Sequence, residues 1–78
     1  MGLRSIQYDD ATQILTVVFS NGTDATFDYG AYLAANTPTK NAMIQAARTT
    51  IRDNGGLEDA DVSLTILNGR PFLKCKFR

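Results

Sequence analysis

The sequence predicts an α+β fold of order β-β-β-α-β-β, an antiparallel meander plus a C-terminal hairpin with one main helix packed on one sheet face. Three observations predict it. Residues 3–29 hold three runs of alternating apolar side chains, divided by turn signals at Asp9-Asp10-Ala11-Thr12 and Ser20-Asn21-Gly22. Residues 38–53 place apolar side chains at helical spacing. Two closing runs, 62–67 and 70–77, flank Asn68-Gly69.

The first hairpin joins residues 3–8 to 13–19 around the polar stretch 9–12. Pairing Tyr8 with Gln13 sets Ile6 opposite Leu15 and Arg4 opposite Val17, so Leu15, Val17 and Phe19 define the inner face. At the next turn, a two-residue Asn-Gly loop would bring Asp24 and Asp28 beside the core, which is costly for unpaired carboxylates. A three-residue loop with Gly22 in a left-handed bulge position instead sets Phe19 against Thr23, Val17 against Ala25 and Leu15 against Phe27.

A short helical turn is expected over Ala31 to Ala35. Thr37-Pro38 then reads as an N-cap followed by proline at the first helical position. From Pro38 to Asp53, Met43, Ile44, Ala46, Ala47, Thr50 and Ile51 share one side of a helix, opposite Asn41, Gln45, Arg48, Thr49 and Arg52. Asn54-Gly55-Gly56 supplies a left-handed stop, with Arg48 and Arg52 near the negative end of the helix dipole. After a loop at 57–61, the tight turn at Asn68-Gly69 pairs Ile66 with Pro71, Leu64 with Leu73 and Val62 with Cys75 on one face, and Phe77 continues the row. This hairpin could add beside the first strand or beside the third.

At 78 residues the chain has room for one domain, residues 1–78. Eight bases balance eight acids, which excludes a uniformly basic nucleic-acid coat or a strongly acidic protein. The balance is uneven along the chain. Residues 1–39 hold Arg4 against Asp9, Asp10, Asp24 and Asp28, a net of −3, and residues 40–78 carry the compensating +3. The single cysteine, Cys75, precludes an internal disulfide and stands between core-facing neighbours, as in a reducing compartment. No stretch has the length of an apolar membrane span, and the opening residues lack a signal-peptide core, so a cytoplasmic location with no membrane contact is expected.

Two surfaces could carry function. In the last strand Arg70, Phe72, Lys74, Lys76 and Arg78 share one face, a basic stripe with one aromatic that could hold phosphates and stack on a base. The bland alternative is a solvated face whose lysines discourage edge pairing. The second surface is Leu3, Ile14, Val18, Leu67 and Phe72, which the registers leave off the helix-covered side. If contiguous, this apolar set would be buried against another copy or a protein partner; scattered half-exposed residues are the ordinary alternative.

Catalysis lacks support. There is no histidine, no nucleophile with an evident base, and no ligand cluster that calls for a metal or cofactor. Asp9-Asp10 and Glu58-Asp59-Ala60-Asp61 read as solvated turns, without the ligand alternation of a calcium loop.

Residues Ser5-Ile6, Tyr8-Asp9, Leu15, Val17, Phe19, Asn21-Gly22 and Phe27-Asp28-Tyr29 resemble the opening of the KTSC domain, a small module named from the C-terminus of some lysyl-tRNA synthetases. Its central Tyr-x-Tyr would fall on Phe27-Asp28-Tyr29, with Phe27 replacing the first tyrosine. The resemblance covers residues 5–29, and the helix lacks that family's Ser-Lys-Gly run. It implies RNA as the ligand class suggested for that module. Taken together, the sequence leads us to expect a non-enzymatic interaction module that self-associates through its outer sheet face. The alternative is a single-stranded nucleic-acid binder, for RNA above all, acting through the basic C-terminal strand.

Overall fold

The computed structural model describes residues 2–77. Its elements run β1 (Leu3–Asp9), β2 (Ile14–Phe19), β3 (Asp24–Asp28), α1 (Tyr29–Ala34), α2 (Thr37–Gly55), a 3₁₀ turn (Asp59–Asp61), β4 (Val62–Leu67) and β5 (Arg70–Cys75). This is the β-β-β-α-β-β order the sequence predicts. Strands β1-β2-β3 form an antiparallel sheet, while β4 and β5 pair only with each other among the described residues.

The β2–β3 connection follows the side-chain argument. Val17 faces Ala25 and Leu15 faces Phe27. The Phe19 N–H donates to the Thr23 carbonyl at 2.9 Å, and Gly22 sits at φ 89°, the conformation glycine adopts without strain. The β4–β5 register also matches, with Ile66, Leu64 and Val62 opposite Pro71, Leu73 and Cys75. Asn68 and Gly69 both take positive φ, as a two-residue hairpin turn matched to strand twist requires.

The first hairpin corrects the sequence reading. Its loop is Asp10–Gln13 rather than residues 9–12, because the Asp9 carboxylate accepts from the Ala11 N–H at 2.8 Å and Gln13 closes the loop at φ 58°. Tyr8 therefore faces Leu15 and Ile6 faces Val17. A two-residue change of partner preserves the faces. A bulge between Leu3 and Ser5 does not: it sets Leu3 opposite Phe19, turning its side chain from the outer face to the core side.

Helix α1 begins two residues earlier than the expected turn, because the Asp28 carboxylate caps the Ala31 N–H at 3.0 Å. The N-cap of α2 is Asn36, not Thr37, its side chain accepting from the Thr39 N–H at 3.0 Å. Pro38 still lies in the first turn, where its missing N–H costs nothing. Gly56, at φ 65°, ends the helix.

All three apolar faces meet in one core: Leu15, Val17, Phe19, Ala25, Phe27 and Tyr29 from the meander and its end, Ala47 and Ile51 from α2, and Val62, Leu64 and Leu73 from the hairpin. Of the helix face named from sequence, Met43 and Ile44 are half-buried at the margin, and Ala46 and Thr50 are exposed. Phe19 has no exposed surface. Gly55 lets the helix end reach it, since a Cβ there would stand 3.0 Å from the Phe19 ring. Two arginines fasten α2 to the 3₁₀ turn and the start of β4: Arg48 donates to the carbonyls of Val62 and Asp59, and Arg52 pairs with Asp59 at 2.6 Å.

The capping assignment separates two neighbouring substitutions. Asn36→Ala is expected to lower the free energy of unfolding by about 1 kcal/mol, whereas Thr37→Ala leaves it nearly unchanged. Urea denaturation followed by circular dichroism measures both.

Candidate nucleic-acid interface on the C-terminal hairpin

The hairpin has one face in the core and one face in solvent. Along β5, Pro71 and Leu73 are buried while Arg70, Phe72 and Lys74 are exposed, and Lys76 continues the exposed row. Its N–H donates to the Asp61 carbonyl at 2.8 Å, so the chain stays extended past the last residue of the strand. Arg78 lies outside the described residues. The tight turn sets Ser63 opposite Lys74 and Thr65 opposite Phe72, which adds two hydroxyls to the same face.

Lys74 and Lys76 form no ion pair among the described residues. With Ser63, Ala60 and Asp61 they line a shallow recess of about 340 Å³. Asp61 is the one buried carboxylate there, and it is held inward by the Glu58 N–H at 3.3 Å. Phe72 is 48% exposed, an aromatic residue open to solvent between Arg70 and Lys74.

Arg70 is differently placed from its neighbours. Its guanidinium donates to the Asp10 carboxylate at 3.2 Å and lies 6.0 Å from the Tyr8 ring centre. It thus ties the hairpin turn to the first loop, across sixty residues of sequence. The pair is exposed on both sides, so it is worth only about 0.2–1 kcal/mol and a competing phosphate could displace the carboxylate.

The apolar set named from sequence does not form one face. Leu3 packs against the core. Ile14 and Val18 are half-buried on the outer side of the meander, while Leu67 and Phe72 are exposed on the separate hairpin, about half of each side chain in solvent. Leu67 and Phe72 are diagonal neighbours and form the only contiguous part of the set, judged by strand pairing.

Sequence reasoning did not anticipate an aromatic ladder at the end of the core beside this interface. Tyr8 meets Tyr29 edge-on at 6.3 Å, Tyr29 stacks with Tyr32 at 5.8 Å, and Phe27 lies 5.7 Å from Tyr32. Arg70 covers Tyr8 at one end and Lys40 covers Tyr32, at 5.4 Å, at the other. Desolvation, with Asp10 adding to it, pushes the Tyr8 hydroxyl above its ordinary range, so the ring is neutral throughout the physiological range. Tyr29–Tyr32 and Phe27–Tyr32 are local pairs at the β3–α1 junction, but the Tyr8–Tyr29 and Arg70–Tyr8 contacts join distant segments and leave no local signal, whereas Ser63 and Thr65 could be read from the tight-turn register alone.

Among the described residues no three His, Cys, Asp or Glu side chains converge as metal ligands, and no helix is long and apolar enough to cross a membrane. No protein-family model, curated protein or solved structure matches the chain.

Cys75 is half-buried at the core margin, and burial pushes its thiol above the ordinary range. Iodoacetamide at neutral pH is therefore expected to modify the folded chain more slowly than a free cysteine. Denaturant or a pH above the usual thiol range should accelerate the reaction, read by mass spectrometry.

Proposed function

We propose that this chain is a non-enzymatic interaction module that binds single-stranded nucleic acid along the solvent face of its C-terminal hairpin. The observation that carries the reading is the exposed row Phe72, Lys74 and Lys76, in which neither lysine is ion-paired among the described residues and Phe72 is about half exposed. Cations two residues apart on a strand lie about 6.6 Å apart along it, suited to successive phosphates of an extended strand. Phe72 offers a stacking platform that does not discriminate among bases. Ser63 and Thr65 add hydroxyl donors on the neighbouring strand. Arg70 serves as a third cation once phosphate replaces Asp10. The resemblance of residues 5–29 to a module suggested to bind RNA supports the same ligand class.

A second reading, self-association, is favoured by the adjacency of Leu67 and Phe72. In that reading the hairpin faces of two copies cover each other, and Ile14 and Val18 take no part. The two readings compete for Phe72, so mass and binding measured together separate them.

With a fluorescent oligouridylate, the logarithm of the association constant is expected to fall against the logarithm of salt with a slope of roughly −1.4 to −2.1, the value for two or three phosphates. Phe72→Ala should weaken binding by about 1–3 kcal/mol, and Lys74→Glu with Lys76→Glu should abolish it. No anisotropy change at low salt would sink the nucleic-acid reading. Light scattering without nucleic acid tests the second: it predicts twice the monomer mass, restored to monomer by Leu67→Asp.

A further inference from the structure

We infer that the free edge of β3 is a strand-addition site for an extended basic segment of a partner protein, on a surface distinct from the hairpin face. The β2–β3 register directs the backbone groups of Thr23, Ala25, Phe27 and Tyr29 toward β2; the Thr23 carbonyl accepts from Phe19, and the Tyr29 N–H donates to Gln13 at 2.8 Å. Those of Asp24, Thr26 and Asp28 consequently point outward. Asn54 of α2 already occupies one of them, donating from its side chain to the Asp24 carbonyl at 3.2 Å. It shows that this edge accepts hydrogen bonds from outside the sheet and marks one end of the site. The N–H and C=O of Thr26 form the open centre.

Beside this edge runs a groove of about 250 Å³, lined by Thr26, Phe27 and Asp28 on the strand and by Met43, Ala46, Ala47 and Thr50 on α2. Ala46 is exposed, and the alanines leave room for a chain between helix and strand. An edge strand alongside a helix is the arrangement by which peptides are captured as an extra strand: main-chain bonds hold them, and alternate side chains enter the groove.

Charge and side-chain alternation select the occupant. Asp24 and Asp28 flank Thr26 on the solvent side of the edge, both exposed and neither ion-paired among the described residues. One Asp28 oxygen caps α1 at 3.0 Å, which leaves its negative charge in place. A second copy of β3 is a poor occupant, because antiparallel pairing about Thr26 would set Asp24 against Asp28 twice. A second copy of β5 is also poor. The tight turn makes Leu67 and Arg70 a hydrogen-bonded pair, so the outward backbone groups of β5 belong to Pro71, Leu73 and Cys75. Pro71 has no N–H, and pairing these residues with Thr26 would align core-facing side chains with solvent-facing ones. The fitting occupant is an antiparallel segment with Lys or Arg opposite Asp24 and Asp28, and small aliphatic side chains opposite Ala25 and Phe27 that enter the groove.

The probe is a blocked, fluorescein-labelled peptide, Lys-Val-Thr-Val-Lys, titrated with the full chain. Anisotropy should report a dissociation constant on the order of 0.1–1 mM, the range for so short a ligand. Hydrogen exchange at Thr26 should slow on binding. Methylating the central peptide nitrogen keeps the charge and removes a backbone donor, and is expected to weaken binding about tenfold. Thr26→Pro removes the facing donor and should do the same; Ala46→Phe, at an exposed helix position, fills the groove without touching the edge and should also weaken it. Glu-Val-Thr-Val-Glu should not bind. Equal affinity for the methylated peptide, or for Ala46→Phe, would reduce the contact to charge attraction and overturn the proposal, as would no binding of the parent peptide.

Discussion

The position of the C-terminal hairpin is the constraint on which the rest of the molecule depends, because no strand pairing ties it to the meander among the described residues. It is held by the burial of Val62, Leu64 and Leu73 against a core centred on Phe19 and Ile51. Full burial of one such side chain is worth about 1.5–3 kcal/mol. Surface ion pairs such as Arg52–Asp59 and Arg70–Asp10 contribute far less. Packing therefore decides that the hairpin stays, and the polar contacts decide where. Arg48 and Arg52 fix its start against the helix, and Arg70 fixes its turn against the first loop.

That division of labour explains the surfaces. Because the hairpin spends its apolar face on the shared core, its other face is left wholly to solvent, with Phe72 and its flanking cations outward. Leu73 and Phe72 are chain neighbours with opposite fates, 8% and 48% exposed, and only alternation along a strand separates them. A slip of one residue in the β4–β5 turn would bury Lys74 in place of Leu73. Asn68-Gly69 prevents it by fixing a two-residue loop.

How far the sequence could be read depended on whether the deciding contact was local. Two of the three hairpin registers were legible because glycine marks the left-handed position in each turn, at Gly22 and at Gly69. The first was displaced because its left-handed residue is Gln13, a residue type that carries no such signal, and because the bulge beside Arg4 has no glycine to announce it. Asn36 and Thr37 are both good caps, and only the bond from the Thr39 N–H chooses between them. In the candidate interface, Phe72, Lys74 and Lys76 were legible from alternation. The diversion of Arg70 to Asp10 was not, since it joins residues sixty apart. Nor was the loss of Leu3 from the outer face.

The separation of the hairpin from the meander also keeps the two charged surfaces of the molecule apart. As folded, among the described residues Asp24 and Asp28 form no ion pair on one strand edge, and Lys74 and Lys76 form none on another sheet. A chain of zero formal charge thereby presents a basic and an acidic surface at once. Zero net charge along the sequence consequently says little about what the molecule attracts, because the topology determines which charges cancel and which stay available to a partner.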